Sequence, residues 1–353
     1  MVIDAVSVTA VLRAAPPKDS IVASALVFVL AYDILAFAGQ APLGWLIDRI
    51  DCRRGATLVG VVLAGLGLLV GPLAGYAVVL LASLGNALFH VGAGAMVLAG
   101  SQERAAPAGI FVAPGALGLG MGILFGRRFV TVPSWPALFA LAAAVAIVLA
   151  VAMRTSAAEP SAPPSRLPMH TAVGVALLLF ISVGVRSLVG TVGCDACDKT
   201  LFLAIALPVA AFAGKLVGGF LADHFGWVDL ATVALLASSP LLAFSRGDLW
   251  LALPGMLLFQ MTMPVTLTAM LRVIPARPAF AFGILCLALI AGAMPAYVPD
   301  GWRPQGVTIL GLTLGSTAIL FVALRALLAK RPARSVATPI ESSTVSTYCR
   351  GNP

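Results

Sequence analysis

The sequence predicts an all-α integral membrane protein made of two related six-helix bundles. Three observations carry that expectation. The chain has 353 residues, 60% of them apolar and only 10% charged. Soluble domains carry roughly 25% charged residues, and surface-to-volume scaling lets no soluble fold hide so much apolar surface. Apolar runs of about 20 residues recur along the chain, the length a helix needs to cross the hydrocarbon core. These runs are continuous, whereas barrel strands read as alternating segments of about 10 residues. Finally, the second half of the chain repeats the first at a nearly constant offset.

The apolar spans lie at about 21–47, 55–74, 76–99, 108–126, 134–153, 171–193, 200–222, 228–244, 249–271, 278–298 and 305–328. Ahead of them stands a shorter run, VIDAVSVTAVLRAA at 2–15. At 1.5 Å per residue it covers only about 21 Å of a core of about 30 Å. It lacks the basic n-region of a signal peptide. It reads as a first helix without its cytoplasmic half, from a misassigned start or a truncated gene; a short interfacial segment is the alternative. With it the helices number twelve: 1–153 forms an N-terminal bundle and 171–328 a C-terminal bundle. The Pro-, Ser- and Ala-rich stretch 154–170 joins them as a flexible linker. The Ser/Thr-rich tail 329–353 reads as disordered.

Basic residues set the orientation. The net charge is +8, but the cations sit at helix ends rather than in one patch, which argues against nucleic acid. With the N-terminus inside, 13 Lys and Arg fall on inner loops and tail against 7 on outer loops. Both ends are therefore expected in the cytoplasm.

The repeat has a register. Ala36, Phe37, Ala38, Gly39, Gly44, Leu46 and Asp48 recur 175 positions later, in the run that contains Lys215, Gly219 and Asp223. Gly109 and Gly118 recur 174 positions later as Gly283 and Gly292, and Asn86 maps to Gln260 at that offset. Two halves in the same orientation are the parallel repeat of transporters built from two rocking bundles.

Residues 44–54, GWLIDRIDCRR, resemble the signature loop of the major facilitator superfamily, G-x-x-x-D-R/K-x-G-x-R/K-R/K, with Asp51 where the glycine usually stands. The second-half copy keeps Gly219 and Asp223. The run GNALFHVGAG at 85–94 is similar to the fourth helix of fosmidomycin-resistance-type exporters, and Gly109, Gly118 and Gly122 resemble part of the antiporter motif of drug exporters. The resemblance implies the major facilitator fold and secondary transport by alternating access. It also implies that Gly44, Asp48, Arg49, Arg53, Arg54, Gly219 and Asp223 gate the inner face; the residues alone are equally explained as holding a loop inside.

Ionisable groups inside a membrane cost roughly 2.5–3.5 kcal/mol each on insertion scales and so face a cavity or a partner. Asp4 and Arg186 lie in the first and seventh helices, which line the central cavity in this superfamily. They are expected to pair across it, Arg186 taking an anionic solute group and Asp4 a proton. His90 is a candidate proton relay. Lys215, Asn86 and Gln260 are candidate solute contacts; each is otherwise a packing or interfacial residue. Gly118, Gly122 and Gly126 form a small-residue ridge for close helix packing. Cys194 and Cys197 suit a small outer-loop disulfide or free thiols, and one such pair does not make a zinc site. No phosphate-binding GxxxxGK[ST] run is present.

The expected activity is proton-coupled secondary transport of a small organic solute, possibly export. A passive uniporter and a non-transporting sensor or assembly protein are the alternatives. The chain is expected to be no enzyme, to need no cofactor or metal, and to act as a monomer in a bacterial cytoplasmic membrane. Its partners would be the solute, protons and the bilayer.

Overall fold

The computed structural model describes the chain except residues 16–21, 71–74, 128–134, 155–166, 194–200, 246–247, 299–301 and 330–353. The expected linker falls mostly within these gaps. So do nearly all of the tail and the Cys194–Cys197 pair, which lie outside the described residues.

The helices are α1 (Val2–Ala14), α2 (Val22–Asp33), α3 (Gln40–Ile50), α4 (Arg53–Val70), α5 (Tyr76–Ala99), α6 (Ala105–Arg127) and α7 (Trp135–Arg154) in the first half. The second half holds α8 (Met169–Gly193), α9 (Leu201–Phe225), α10 (Trp227–Phe244), α11 (Leu249–Gln260), α12 (Met263–Val273), α13 (Pro278–Ala293) and α14 (Val307–Leu328). Ten stretches among the described residues are long and apolar enough to cross a membrane. In lipid the backbone must satisfy its own hydrogen bonds, which is why apolar runs of this length settle as helices.

Two spans are jointed. A π turn at Ile34–Ala38 joins α2 to α3. Gly39 N–H reaches the Ile34 carbonyl at 3.2 Å, one residue further back than an α ladder would. Buried Gln40 sends Nε2 to the Ala36 carbonyl of that turn at 2.7 Å. The span expected to be one helix over 249–271 instead breaks at Met261–Thr262, between α11 and α12. Pro264 contributes to the break. It has no N–H for the carbonyl four residues back, and its ring crowds that carbonyl.

The loop after α3 closes with Asp51 left-handed, at φ 51°. A helix ends there most easily on glycine; Asp is among the few other residues that visit this conformation. Cys52 N–H then reaches the Ile47 carbonyl at 3.3 Å.

Within the first bundle, α1 lies against α5 and α6, and α4 against α5. The expected glycine ridge seats α1. Cβ atoms added at Gly122 and Gly126 would lie 2.7 Å from Val8 Cβ and 2.6 Å from Leu12 Cβ, and one at Gly118 would meet Asp4 Cβ at 2.8 Å. In the second bundle, α8 packs on α13 and α14, and α10 on α11 and α14. The bundles meet along two seams, α3 with α13 and α6 with α9.

Candidate functional site

The two seams are built alike. At the end of the molecule that carries the loop 44–54, the Asp48 carboxylate at the end of α3 accepts Ala279 N–H at 3.2 Å and Phe280 N–H at 2.8 Å. Those amides open α13 in the other half. On the second seam, Asp223 at the end of α9 accepts Ala105 N–H at 2.7 Å and Ala106 N–H at 2.9 Å, which open α6 in the first half. Asp48 and Asp223 are 175 positions apart, and the two amide pairs 174. Each carboxylate thus holds the free N–H groups and positive end of a helix belonging to the opposite bundle.

The glycines beside these bonds follow the same symmetry. A Cβ at Gly44 would collide with the Ala279 backbone, and one at Gly283 with the Gln40 carbonyl. At the equivalent places, a Cβ at Gly219 would lie 2.9 Å from the Ala105 oxygen, and one at Gly109 2.7 Å from the Lys215 oxygen. Backbone therefore touches backbone across both seams, which glycine alone permits.

Among the basic residues of the loop, Arg53 Nε lies 3.5 Å from Asp48 Oδ1. Arg49 lies over the Trp45 ring, 5.2 Å from its centroid, and Arg54 is exposed. A third link joins the halves at this end: Arg272 Nη2 pairs with Glu103 Oε2 at 3.2 Å. At the opposite end, among the described residues, a further link joins the halves. Tyr297, in the short 3-10 turn after α13, donates its hydroxyl to the Asp33 carboxylate. Neither residue stands in a repeat match or a motif, so no sequence signal marked the pair. Changing Tyr297 to Phe removes the donor and leaves the ring. We expect labelling of a cysteine at Val298 to speed up about tenfold as this end loosens, since a hydrogen bond to a charged group is worth that much or more.

Asp4 and Arg186 do not pair. Asp4 turns toward α5, where His90 Nε2 lies 3.3 Å from Asp4 Oδ1 and Asn86 Nδ2 donates to the same oxygen at 3.4 Å. The Met1 amino group lies 3.2 Å from Oδ2. Arg186 turns instead toward the α11–α12 break and its donors meet Ser182, Thr262 and Thr266. A helix number fixes neither the face a residue occupies nor its depth, which is why the expected pairing fails.

The His90 contacts fix a proton. Its Nδ1 lies 3.0 Å from the Asn86 carbonyl oxygen. A carbonyl only accepts, so Nδ1 carries the hydrogen. Nε2 then faces the Asp4 carboxylate, and a proton taken up by either group would bridge the two. A cavity of about 520 Å³ reaches His90, walled by Phe89, Val97, Ile110 and Phe111. Lys215 is partly buried and its carbonyl backs onto Gly109. Gln260 Nε2 lies 3.6 Å from Met256 Sδ, so the two equivalent amides, Asn86 and Gln260, have different roles.

No family model matches the chain, and no curated protein matches it in sequence. Solved structures do. A crystal structure of FucP, a major facilitator superfamily transporter, in the outward conformation is similar with a TM-score of 0.64 at 14% identity, over 92% of this chain and 97% of that one. A variant of FucP, described as the E. coli fucose:proton symporter, is similar at the same score and identity over 92% and 96%. The chain therefore has the major facilitator fold.

Proposed function

We propose that this chain is a proton-coupled secondary transporter of a small organic solute, working by alternating access in a bacterial cytoplasmic membrane with the loop 44–54 inside. The observation that carries the reading is the pair of equivalent carboxylate latches. The halves share buried apolar surface, with Ile47, Val91 and Leu98 in one cluster with Met270, Ala279 and Phe282, but that surface would serve a static fold equally well. These halves meet at one end through four amide-to-carboxylate bonds whose partners all belong to opposite bundles. Such bonds exchange for water as a gate opens, so the two arrangements differ little in free energy and a ligand can choose between them. Rocking of one bundle against the other then exposes the mid-membrane site to each side in turn.

The Asp4–His90 pair is the proposed proton carrier. A proton taken up between the two can leave to whichever side the site faces. One of the similar solved structures is described as a fucose:proton symporter, which supports coupling to protons. The resemblance of the 85–94 run supports export. The two likenesses differ in the direction of solute relative to proton, and one assay separates them.

Proteoliposomes carrying a trapped pH indicator, challenged with a series of small sugars and organic acids, should show solute-dependent proton movement. Movement with the solute marks symport; movement against it marks antiport. Changing His90 to Gln should reduce the proton signal to background while solute exchange persists. Solute flux with no proton movement in the unaltered protein would make it a uniporter. No flux of any solute, with labels at the latched end fixed at one distance, would leave a sensor or assembly protein on this fold.

A further inference from the structure

We propose that Arg186 and the broken span α11–α12 form a binding site for an oxyanion, the carboxylate or phosphate of a small organic anion. The proposal rests on the transport reading above and names its solute class.

Arg186 is 6% exposed and sits in the second half of α8. Its acceptors are all neutral. Nε donates to the Ser182 carbonyl at 3.3 Å, one terminal nitrogen to the Thr262 hydroxyl and the other to the Thr266 hydroxyl at 3.4 Å. Among the described residues no carboxylate pairs with it. A guanidinium has five N–H donors, so these three acceptors leave one on each terminal nitrogen. Two donors from one planar fork are the arrangement that meets both oxygens of a carboxylate or phosphate.

The break adds an independent argument. Thr262, the residue bonded to Arg186, stands at the N-cap position of α12 and makes no side-chain cap hydrogen bond there. The positive end of that 11-residue helix segment therefore lies beside a buried cation. A cation is disfavoured there and an anion favoured. Interrupted membrane helices present such ends to anionic solutes. An anion would compete with Thr262 and Thr266 for the fork. Those hydroxyls span the joint, one at the break and one a turn beyond it, so binding would act directly on the bend of the span. The threonines keep their own main-chain acceptors, Phe259 for Thr262 and Met263 for Thr266, at 3.1 and 2.9 Å. Their O–H groups stay bonded when the arginine turns away, and only the bonds they accept from it are given up.

The test is thermal unfolding of the purified full chain in detergent, unaltered and as Arg186→Gln and Arg186→Lys. Lactate, citrate and glucose 6-phosphate are the probes, with L-fucose as the neutral control. An uncompensated buried charge predicts that Arg186→Gln without ligand unfolds at the same temperature as the parent or higher. At least one anion should raise the parent's Tm by about 3 °C at roughly ten times its dissociation constant. The shift should be absent from Arg186→Gln and partly kept by Arg186→Lys. Citrate and lactate against the sugar phosphate separate a carboxylate site from a phosphate site.

A clear fall in Tm for ligand-free Arg186→Gln would make the residue a structural pin and overturn the proposal. Equal response of parent and variant, or a response to fucose alone, overturns it too, as does no anion-dependent shift in the set. An anion-dependent shift in a protein whose latched end never opens would keep the site and remove the transport reading.

Discussion

Changing Asp48 and Asp223 together to asparagine opens the loop end of the protein. Each carboxylate accepts two amides that begin a helix in the opposite half. Asparagine keeps one accepting oxygen, loses the charge and brings an NH₂ that faces N–H groups. Hydrogen bonds to a charged acceptor are worth about 1.5–3 kcal/mol. The Asp48 side chain is 1% exposed, so little solvent screening reduces its share. Asp48→Asn alone should shift the closed-to-open ratio about ten- to a hundredfold toward open. Asp223 is exposed and its variant should shift the ratio less. The double variant should exceed both, because one rigid-body motion breaks both latches. Spin labels at Gly55 and Ala276, both exposed and on opposite halves, report the distance directly. Solute transport should fall sharply in Asp48→Asn while the protein still reaches the membrane. An unchanged distance distribution with full transport would show that the carboxylates only shape a loop.

The seam could be read in part before its geometry was known. Gly44 with Gly219, Gly109 with Gly283, and Asp48 with Asp223 were already paired by the repeat offset. Residues that survive in both copies are the ones a two-fold seam uses twice. Their acceptors and donors were not legible. Ala105, Ala106, Ala279 and Phe280 act through backbone N–H groups, and any residue but proline supplies one. Asp33 and Tyr297 escaped because they have no counterpart in the other half; the position 175 beyond Asp33 is Pro208. The mid-membrane charges were found as residues but wrongly joined. Composition shows that a buried charge needs a partner, not which of several helices holds it. In this protein the nearer partner of Asp4 was His90 on α5. The joint in the α11–α12 span was visible as Pro264, but a proline within an apolar run also occurs in unbroken spans here, at Pro114, Pro208 and Pro240. What differs at Pro264 is the neighbouring Thr262, whose hydroxyl takes up the Phe259 carbonyl and meets Arg186.

Changing Gly283 to leucine should have the larger effect on the gate, because it acts on backbone rather than on a bond water can replace. A Cβ at this position runs into the Gln40 carbonyl of α3, and neither partner can rotate away. Overpacking a tight contact costs about 1–3 kcal/mol even where side chains can yield. Here the relief is for the seam to part. The bundles should separate at the loop end, and the Asp48 latch should be lost although Asp48 itself is intact. Gly109→Leu should repeat the result on the other seam through the Lys215 carbonyl, 2.7 Å from the added Cβ. The contrast with Gly174 supplies the control, since a Cβ there meets nothing within 4 Å and Gly174→Leu should leave the distances alone. Because Gly283 faces the opposite bundle, its own half should unfold near the parental temperature. If both seam variants kept the parental label distance and transported at the parental rate, the halves would not meet where these glycines lie. If instead either lost its fold along with its gate, the seam would be a permanent core rather than a contact made and broken in each cycle. The gating account therefore requires both results together, a parted loop end and a parental unfolding temperature.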